Sequence, residues 1–248
     1  MDEARRSLSL PLPERSDENA RAVRSHTSKV ALARKLFAAS VPIGGTQAAA
    51  YLRCRGIDVD SIDCQWLRFH PRCWYRDRDD APVRAFPALI AAVTDDTGTI
   101  TGVHRTWLDP NDVAQKAPVA VPRRAMGELL GNGVRFGFGG GPHAIIAAGE
   151  GLESILSLAS VQPTMPLVAA LSANHLGALA LPSTVGRLYI VLDTDPAGRR
   201  GADRLRKRAL EQGTEVYTLS PQLGDFNEDM RRLGRHALAG AMQDQLGP

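Results

Sequence analysis

The chain has 248 residues, of which 44% are hydrophobic and 23% are charged. This composition is typical of a folded globular protein and excludes the disordered and fibrous classes. The formal net charge is only +3, from 30 basic and 27 acidic residues, so any nucleic-acid binding must come from local patches. No apolar run approaches the ~18 residues of a membrane span, and no signal-like apolar segment follows the start. A cytoplasmic protein without membrane contact is expected.

The first elements are predicted to be helical. Residues 1–27 are polar and predict a mobile arm. From Ser28 onward, apolar residues are spaced for one face of a helix. Thr46 is then expected to cap a second helix over 47–55, which ends at Gly56.

The middle of the chain, up to residue 142, predicts a mixed and mostly β subdomain, and with the preceding helices it forms an α+β N-terminal half over 28–142. A good hairpin turn at Asp95-Asp-Thr-Gly98 separates two of its short β-like runs. The glycine-rich segment 137–141 is expected to be the joint to the second half. The predicted strands are 88–93, 100–103, 119–121 and 134–136.

The three cysteines do not predict a disulfide framework, because they form an odd set without a Cys-x-x-Cys pair. Cys64, His70 and Cys73 could form a partial zinc site. That set lacks a fourth ligand and suitable spacing, so ordinary burial is the better interpretation.

Residues 143–248 alternate between strand-like and helix-like segments, which predicts an α/β domain. Such alternation is typical of a mostly parallel sheet with helices on both faces. The predicted strands are 144–149, 167–171, 187–192 and 214–219, and the predicted helices are 151–160, 173–179, 197–212 and a segment from residue 226.

Carboxylates follow three of these strands. Glu150 follows the first, Asp193 and Asp195 follow the third, and Asp225 follows the last. Ligands bind at the carboxyl ends of the strands in such sheets, and a divalent cation is the simplest way to hold converging carboxylates together. Taken singly, each aspartate is better explained as a turn or helix-capping residue, and Glu153 could merely complement a helix dipole.

A basic helix follows Asp195. Its charges could form a solvated face or could contact a template strand or a nucleotide phosphate. The residues expected to contact nucleic acid are Arg199, Arg200, Arg204 and Lys207. The aromatic residues of the first half could stack on bases, although burial in the core is favoured; they are Trp66, Trp74, Tyr75 and Trp107.

The order of three acidic motifs resembles the Toprim domain of bacterial-type DNA primases, type IA and II topoisomerases and certain nucleases. These motifs are Gly-Glu-Gly-Leu-Glu-Ser at 149–154, Asp-Thr-Asp-Pro-Ala-Gly at 193–198 and Gly-Asp-Phe-Asn-Glu at 224–228. The upstream segments 44–56, 67–73 and 103–108 look like the primase-type proteins of phages, plasmids and integrative elements. The resemblance covers roughly residues 28 to 235.

The resemblance implies a Rossmann-like Toprim fold for the second half and a Mg²⁺ site, with Mn²⁺ as the alternative ion. It makes Glu150 a metal ligand or general acid/base, Asp193 and Asp195 the magnesium-binding aspartates, and Asp225 the acidic residue of the closing motif. The carboxyls of the first three residues are expected to lie within roughly 8 Å of one another, close enough to share a metal ion.

A looser match implies that Arg105 and Lys116 face nucleotide phosphates. Magnesium ions with such cations suit phosphoryl transfer, because both stabilise charge on the phosphates. The Arg105 and Lys116 segment also distinguishes this chain from Toprim nucleases, which do not share it.

The resemblance therefore implies a DNA primase catalytic core that makes short RNA primers on single-stranded DNA from ribonucleoside triphosphates. The expected context is replication of a mobile element or plasmid, with a replicative helicase or another replication protein as a partner. No zinc-binding module and no Walker A helicase domain is recognised, so start-site choice is expected to need partners or to be relaxed. The alternatives are a Toprim nuclease or other metal-dependent phosphotransferase, and a non-catalytic accessory protein that binds single strands.

Overall fold

The computed structural model describes residues 15–139 and 142–246, with side chains from residue 27 onward. Within these ranges, no helix combines the length and apolarity needed to cross a membrane. The helices are α1 (Arg15–Ala38), α2 (Gln47–Cys54), α3 (Leu152–Val161), α4 (Ala173–Ala178), α5 (Pro196–Glu211), α6 (Phe226–Arg232) and α7 (Arg235–Leu246). The strands are β1 (Val41–Pro42), β2 (Leu67–Tyr75), β3 (Arg84–Thr94), β4 (Ile100–Trp107), β5 (Arg123–Gly127), β6 (Val134–Phe136), β7 (Ile145–Gly149), β8 (Leu167–Ala169), β9 (Arg187–Val191) and β10 (Glu215–Leu219).

The N-terminal sheet is antiparallel and has the strand order β1-β2-β3-β4-β5. The predicted hairpin turn joins β3 to β4. The Asp95 carboxylate accepts hydrogen bonds from the backbone N–H groups of Thr97 and Thr99, and Gly98 adopts a φ of +82°. Glycine suits this position because it tolerates the left-handed conformation.

The two faces of the N-terminal sheet pack against different partners. Helix α1 covers one face, where Phe37 packs with Val103 and Trp107. The other face, together with α2, shares a core with the second half of the chain. Because side chains alternate along a strand, β4 sends Val103 toward α1 and the next residue, His104, toward the second half.

The C-terminal sheet has the strand order β10-β9-β7-β8-β6, and every pairing except that of β6 is parallel. Helices α3, α6 and α7 contribute to the core on one face, whereas α4 and α5 contribute to a separate core on the other. The prediction of a mostly parallel sheet with helices on both faces is confirmed. The carboxyl ends of β7, β9 and β10 consequently lie at one edge of this sheet.

Three predicted elements differ from the structure. Arg15, the first described residue, already lies in helix α1. Residues 15–27 are therefore helical where an arm was expected, and residues 1–14 lie outside the described residues. The segment 134–136, expected in the N-terminal half, forms β6 and pairs with β8. No strand forms at 119–121, because Pro118 and Pro122 flank this segment and cannot donate to a sheet.

The second helix starts and ends almost as predicted, but its cap differs. Thr46 occupies the N-cap position, yet its hydroxyl donates to the carbonyl of Ile43 at 2.6 Å and accepts no bond from the helix. Gly56 ends the segment with a φ of +74°, and a Cβ there would lie 2.8 Å from Cγ of Met230. The position therefore needs glycine for its backbone and for its packing.

Candidate active-site cleft

A cleft of about 690 Å³ opens where the strand exits of the C-terminal sheet face strands β4 and β5. We refer to the C-terminal side as the acidic wall and to the N-terminal side as the basic wall. The acidic wall carries Glu150, Asp193, Asp195 and Asp225, and the basic wall carries Arg55, His104, Lys116, Arg123 and Arg124. The cleft therefore has a negatively charged side from the C-terminal half of the chain and a positively charged side from the N-terminal half.

The strand exits position the acidic wall. Glu150 directly follows β7, Asp193 lies two residues after β9 ends, and Asp225 precedes α6 on the connection from β10. Because β7, β9 and β10 are parallel neighbours, their exits deliver these carboxylates to one place. The structure thus brings together all four residues expected at this edge.

Two of the carboxylates also cap helices, as their positions allowed. Oδ1 of Asp195 accepts from the N–H of Gly198 at 2.7 Å, and Oδ1 of Asp225 accepts from the N–H of Glu228 at 2.7 Å. Such caps stabilise the starts of α5 and α6. Capping uses one oxygen of each carboxylate, and both residues still line the cleft. The capping and cleft-lining roles therefore coexist.

The other two carboxylates are held at an electrostatic cost. Oε2 of Glu150 and Oδ1 of Asp193 are buried and have no hydrogen-bond partner among the described residues. Burial and the neighbouring carboxylates of Glu150, Asp225 and Asp195 raise the pKa of Asp193 to about 7. Burial and Asp195 also raise the pKa of Glu150, partly offset by a hydrogen bond from the backbone of Ala173. A cation at this wall would relieve both penalties.

The acidic wall does not form a ready-made metal cage. Across residues 15–139 and 142–246, no group of three or more His, Cys, Asp or Glu side chains is close enough to hold a metal ion. The expectation that Glu150, Asp193 and Asp195 share one metal-sized cluster is therefore not met, although Glu150 and Asp195 lie near enough to Asp193 for their charges to raise its pKa. Magnesium commonly uses one or two carboxylates together with waters and substrate phosphates. The unpartnered oxygens of Glu150 and Asp193 fit that mode of binding.

The basic wall is organised around Glu153, a residue of α3 that is only 8% exposed. Its Oε1 lies 3.0 Å from Nζ of Lys116 and accepts a hydrogen bond from the Tyr51 hydroxyl at 3.0 Å. Its Oε2 lies 3.6 Å from the guanidinium of Arg123. Burial alone would raise the pKa of Glu153, but these cations outweigh it and hold the pKa at about 2. Glu153 is therefore a buried ion-pair partner, and not a residue that merely complements the α3 dipole.

Most residues of the basic wall were not predicted from the sequence. Arg123 starts β5, where its register opposite Thr106 places it on the cleft face. Arg55 donates to Asn227 at 3.2 Å, and Asn227 donates back to the Arg55 carbonyl at 3.0 Å. Burial lowers the pKa of His104 to about 4, so this ring is neutral at physiological pH. The only sequence signal for this wall was the pair of adjacent cations Arg123 and Arg124. The predicted strand at 119–121, which does not form, ended just before them.

Lys116 lines the cleft, but Arg105 does not. Arg105 lies on the opposite face of the N-terminal sheet, in a pocket of about 320 Å³, with its guanidinium 4.8 Å from the ring centroid of Trp107. The reason is strand alternation, since the cleft face at this point is taken by His104. We call this second concavity the Trp74 pocket; it is lined by Trp74, Tyr75, Arg76, Asp77, Arg78, Asp79, Val83, Arg105, Trp107 and Arg124.

The aromatic residues divide between core and surface. Tyr75 and Trp107 are buried, as expected, and Trp66 is half-buried. Trp74 is 77% exposed, contrary to the expectation that it would enter the core. Arg124 lines both the Trp74 pocket and the cleft, so the two concavities are adjacent.

The basic helix α5 is partly occupied by internal contacts. Arg204 donates to Asn174 at 3.0 Å and to the Ala173 carbonyl at 3.3 Å. Lys207 lies 4.0 Å from Glu211, and Arg199 donates to the Thr194 carbonyl at 3.1 Å. The Arg200 side chain is exposed and makes no ion pair or hydrogen bond with the described residues. Of the four predicted nucleic-acid contacts, Arg200 is the most available to a ligand.

Comparison with known proteins identifies the second half of the chain. The family model of the Toprim domain matches residues 145–236. Residues 145–236 form a Toprim domain. Residues 27–136 match a family described as a domain of unknown function, DUF7146. No protein of curated function matches the sequence.

Solved structures extend the similarity beyond the Toprim domain. The DnaG primase catalytic domain bound to ssDNA matches 90% of this chain and 82% of its own, with a TM-score of 0.62 and 16% identity. A DNA primase domain from Pseudomonas aeruginosa matches 87% and 78%, with a TM-score of 0.59 and 18% identity. The primase fragment of the bacteriophage T7 primase-helicase protein matches 79% and 73%, with a TM-score of 0.52 and 16% identity. At these identities the likeness establishes that the chain has the fold of a primase catalytic core.

The two walls of the cleft follow this division. The whole acidic wall belongs to the Toprim domain, whereas the basic wall belongs to the preceding half. Glu153 connects the two sides, because it lies in the Toprim domain but forms ion pairs with Lys116 and Arg123 of the basic wall.

Proposed function

We propose that this chain is the catalytic core of a DNA primase, which joins ribonucleoside triphosphates into short RNA primers on single-stranded DNA. The observation that carries the proposal is the cleft itself, in which unpartnered Toprim carboxylates face a wall of cations from the other half. This arrangement suits a substrate that carries both a divalent cation and a triphosphate. The primase-core fold, which extends over both halves, supports priming over the activity of a Toprim nuclease.

The acidic wall would hold the metal. Glu150 and Asp193 each offer a buried oxygen without a partner, and the free oxygens of Asp195 and Asp225 complete the set. Bound Mg²⁺ supplies Lewis-acid stabilisation of charge on the reacting phosphate and a lowered pKa of the attacking hydroxyl. Mn²⁺ accepts the same oxygen ligands. Burial and the neighbouring Asp195 raise the pKa of Glu150, which favours a role for this residue in proton transfer.

The basic wall would bind the triphosphate. Lys116 and Arg123 lie on the cleft face, and Arg55 and Arg124 extend the same positive surface. These side chains orient phosphate oxygens and neutralise their charge, which is the main contribution of a protein to phosphoryl transfer. Lys116 keeps the role expected from the sequence, whereas Arg105 is too far around the sheet to share it.

The template strand would lie across the Trp74 pocket. The exposed Trp74 ring offers a stacking surface for a base, and Arg76, Arg105 and Arg124 supply positive charge beside it. Single-strand binding sites combine these two features. Because Arg124 also lines the cleft, a strand on this pocket leads toward the metal site.

Primer synthesis is the direct test. The purified protein would be incubated with single-stranded DNA, labelled ribonucleoside triphosphates and Mg²⁺. Glu150→Gln removes one proposed metal ligand with little change in shape, and Glu128→Gln is the matched control, since Glu128 is exposed and does not line the cleft. We expect short labelled oligomers from the wild type and from Glu128→Gln, and none from Glu150→Gln.

Other results would point elsewhere. Cleavage of the DNA that depends on Glu150 would identify a Toprim nuclease. Binding of the single strand without either product would identify an accessory protein. A replicative helicase as partner and the replication of a mobile element stay predictions.

A further inference from the structure

Glu153 connects the Toprim domain to the half that precedes it. Its partners Tyr51, Lys116 and Arg123 all come from the N-terminal half. The two carboxylate oxygens are divided between them, with Tyr51 and Lys116 at Oε1 and Arg123 at Oε2. Each oxygen therefore fixes the direction of at least one cation at the wall of the cleft.

The charges around Glu153 are only partly balanced. The carboxylate interacts with Lys116, Arg123 and Arg55, which places three positive charges around one negative charge. Two positive charges remain uncompensated by Glu153, and they face a cleft that also contains the acidic wall. Phosphate oxygens are suitable partners for this excess, because cations bind phosphates through charge-assisted hydrogen bonds.

Burial restricts the motion of the Glu153–Lys116 pair. Glu153 is 8% exposed, and the Lys116 side chain is 22% exposed. A long lysine side chain loses conformational freedom when it is fixed. If Glu153 fixes it before the ligand arrives, that loss does not reduce the affinity for the ligand.

We propose that Glu153 is a positioning residue for the triphosphate site, which holds Lys116 and Arg123 in the orientation that receives the phosphates. This role rests on the proposed function of the cleft and adds a residue to it. Glu153 contacts the substrate only through these two cations. It also aligns the basic wall with the acidic wall, because it joins one half of the chain to the other.

The first measurement is binding of Mg²⁺–ATP and Mg²⁺–GTP by calorimetric titration in the absence of DNA. Glu153→Gln keeps a hydrogen-bond acceptor for Tyr51 but removes the negative charge. We expect affinity to fall roughly ten- to hundredfold, because misplaced cations lose directed contacts with the phosphates. In priming assays the same loss should raise KM for the nucleotide with little change in kcat.

The second measurement is the pH profile of nucleotide binding. Burial lowers the pKa of Lys116, and the negative charge of Glu153 raises it, while Arg123 and Arg55 lower it. The other charged or titratable groups lining the same cleft are His104, Arg124, Glu150, Asp193, Asp195 and Asp225. Without the Glu153 charge, Lys116 should lose its proton at lower pH, so the alkaline loss of binding moves to lower pH. Lys116→Arg in the same background should abolish that movement, because arginine stays charged.

Two further variants separate positioning from simple stabilisation. Tyr51→Phe removes a hydrogen bond to Glu153 but keeps every charge, so the alkaline limb of binding should stay at the wild-type pH. If Glu153→Gln does not fold, Glu153→Asp decides the matter, since it keeps the charge on a shorter stem. We expect Glu153→Asp to keep the alkaline limb and to weaken binding, and unchanged affinity in this variant would overturn the proposal.

The outcomes distinguish this inference from the proposed function. If the wild type binds triphosphate but makes no primers, the primase proposal is wrong. The positioning role of Glu153 is then still decided by nucleotide binding to the Glu153 variants. If Glu153→Gln folds and binds triphosphate as the wild type does, the positioning role is wrong even in an active primase. If the wild type binds no triphosphate, both proposals are wrong.

Discussion

Replacing Asp193 with asparagine should stabilise the metal-free protein at alkaline pH while it abolishes priming. The carboxylate of Asp193 is partly buried beside Glu150, Asp195 and Asp225, and its pKa is raised from 3.8 to about 7. The folded state therefore binds this proton more tightly than the unfolded state does. Stability from this group is full below pH 3.8, declines as pH rises toward 7 and stays reduced above that pH.

The size of the effect follows from the shift. A rise in pKa from 3.8 to about 7 corresponds to about 4 kcal/mol of lost stability at alkaline pH. Because the side chain is only partly buried, solvent screening reduces our expectation to about 1–2 kcal/mol. For a chain of this size, that gain should raise Tm by about 2–8 °C in Asp193→Asn.

Thermal unfolding with EDTA at pH 8.5 and at pH 5 measures this gain. Asp244→Asn is the control, because Asp244 is exposed on α7, away from the cleft. We expect Asp193→Asn to exceed the wild type in Tm at pH 8.5, with a smaller difference at pH 5 and no change in the control. Added Mg²⁺ should stabilise the wild type more than the variant. A variant that unfolds at or below the wild-type temperature at pH 8.5 would refute the argument from carboxylate repulsion.

Three further predictions concern nucleic-acid contacts and packing. Trp74→Ala should weaken single-stranded DNA binding by about 1–3 kcal/mol for a stacked base without a change in Tm; unchanged affinity in a filter-binding assay would exclude the Trp74 pocket as a template site. Arg200→Ala should reduce the slope of log Kd against log salt concentration for DNA binding by about 0.7, and a slope equal to that of the wild type would contradict a contact between Arg200 and DNA. Arg204→Ala should instead mainly lower Tm, because Arg204 joins α5 to α4. Gly201→Ala places a Cβ 2.5 Å from the Ala173 carbonyl oxygen. It should lower the free energy of unfolding by about 1–3 kcal/mol, measured by thermal unfolding. A Tm equal to that of the wild type would show that α4 and α5 can separate freely.

The C-terminal half was predictable because its signals are local. Strands β7 and β9, which position Glu150 and Asp193, are short apolar runs with a carboxylate just after the strand. The exits of parallel strands must meet at one edge. The predicted strand 187–192 corresponds to β9 at Arg187–Val191, and the predicted helix 197–212 corresponds to α5 at Pro196–Glu211. The position of Glu150 followed from the same reasoning, without any knowledge of the first half.

The basic wall was not predictable because its contacts are long-range. Tyr51 and Glu153 are 102 residues apart in the chain, and no periodicity marks such a pair. The positions of Arg105 and Trp74 depend on which face each strand residue takes. A register shift between His70 and Cys73 interrupts the alternation of β2 and leaves Trp74 on the outside, and a bulge of this kind has no sequence signal here.

The core shared by the two halves has a consequence for how the chain folds and how it can be divided. Tyr51, Leu52 and Leu89 of the first half pack in one apolar cluster with Ile155 and Phe226 of the Toprim domain, and β6, which precedes the glycine-rich joint, is a strand of the Toprim sheet. Cutting the chain at that joint would expose this cluster on both fragments and would remove one edge of the second sheet. We therefore expect one cooperative unfolding transition for the intact protein and aggregation of the separated halves. Because each wall of the cleft is held in place by packing against the other half, we expect that the two walls cannot be exchanged between proteins as independent modules.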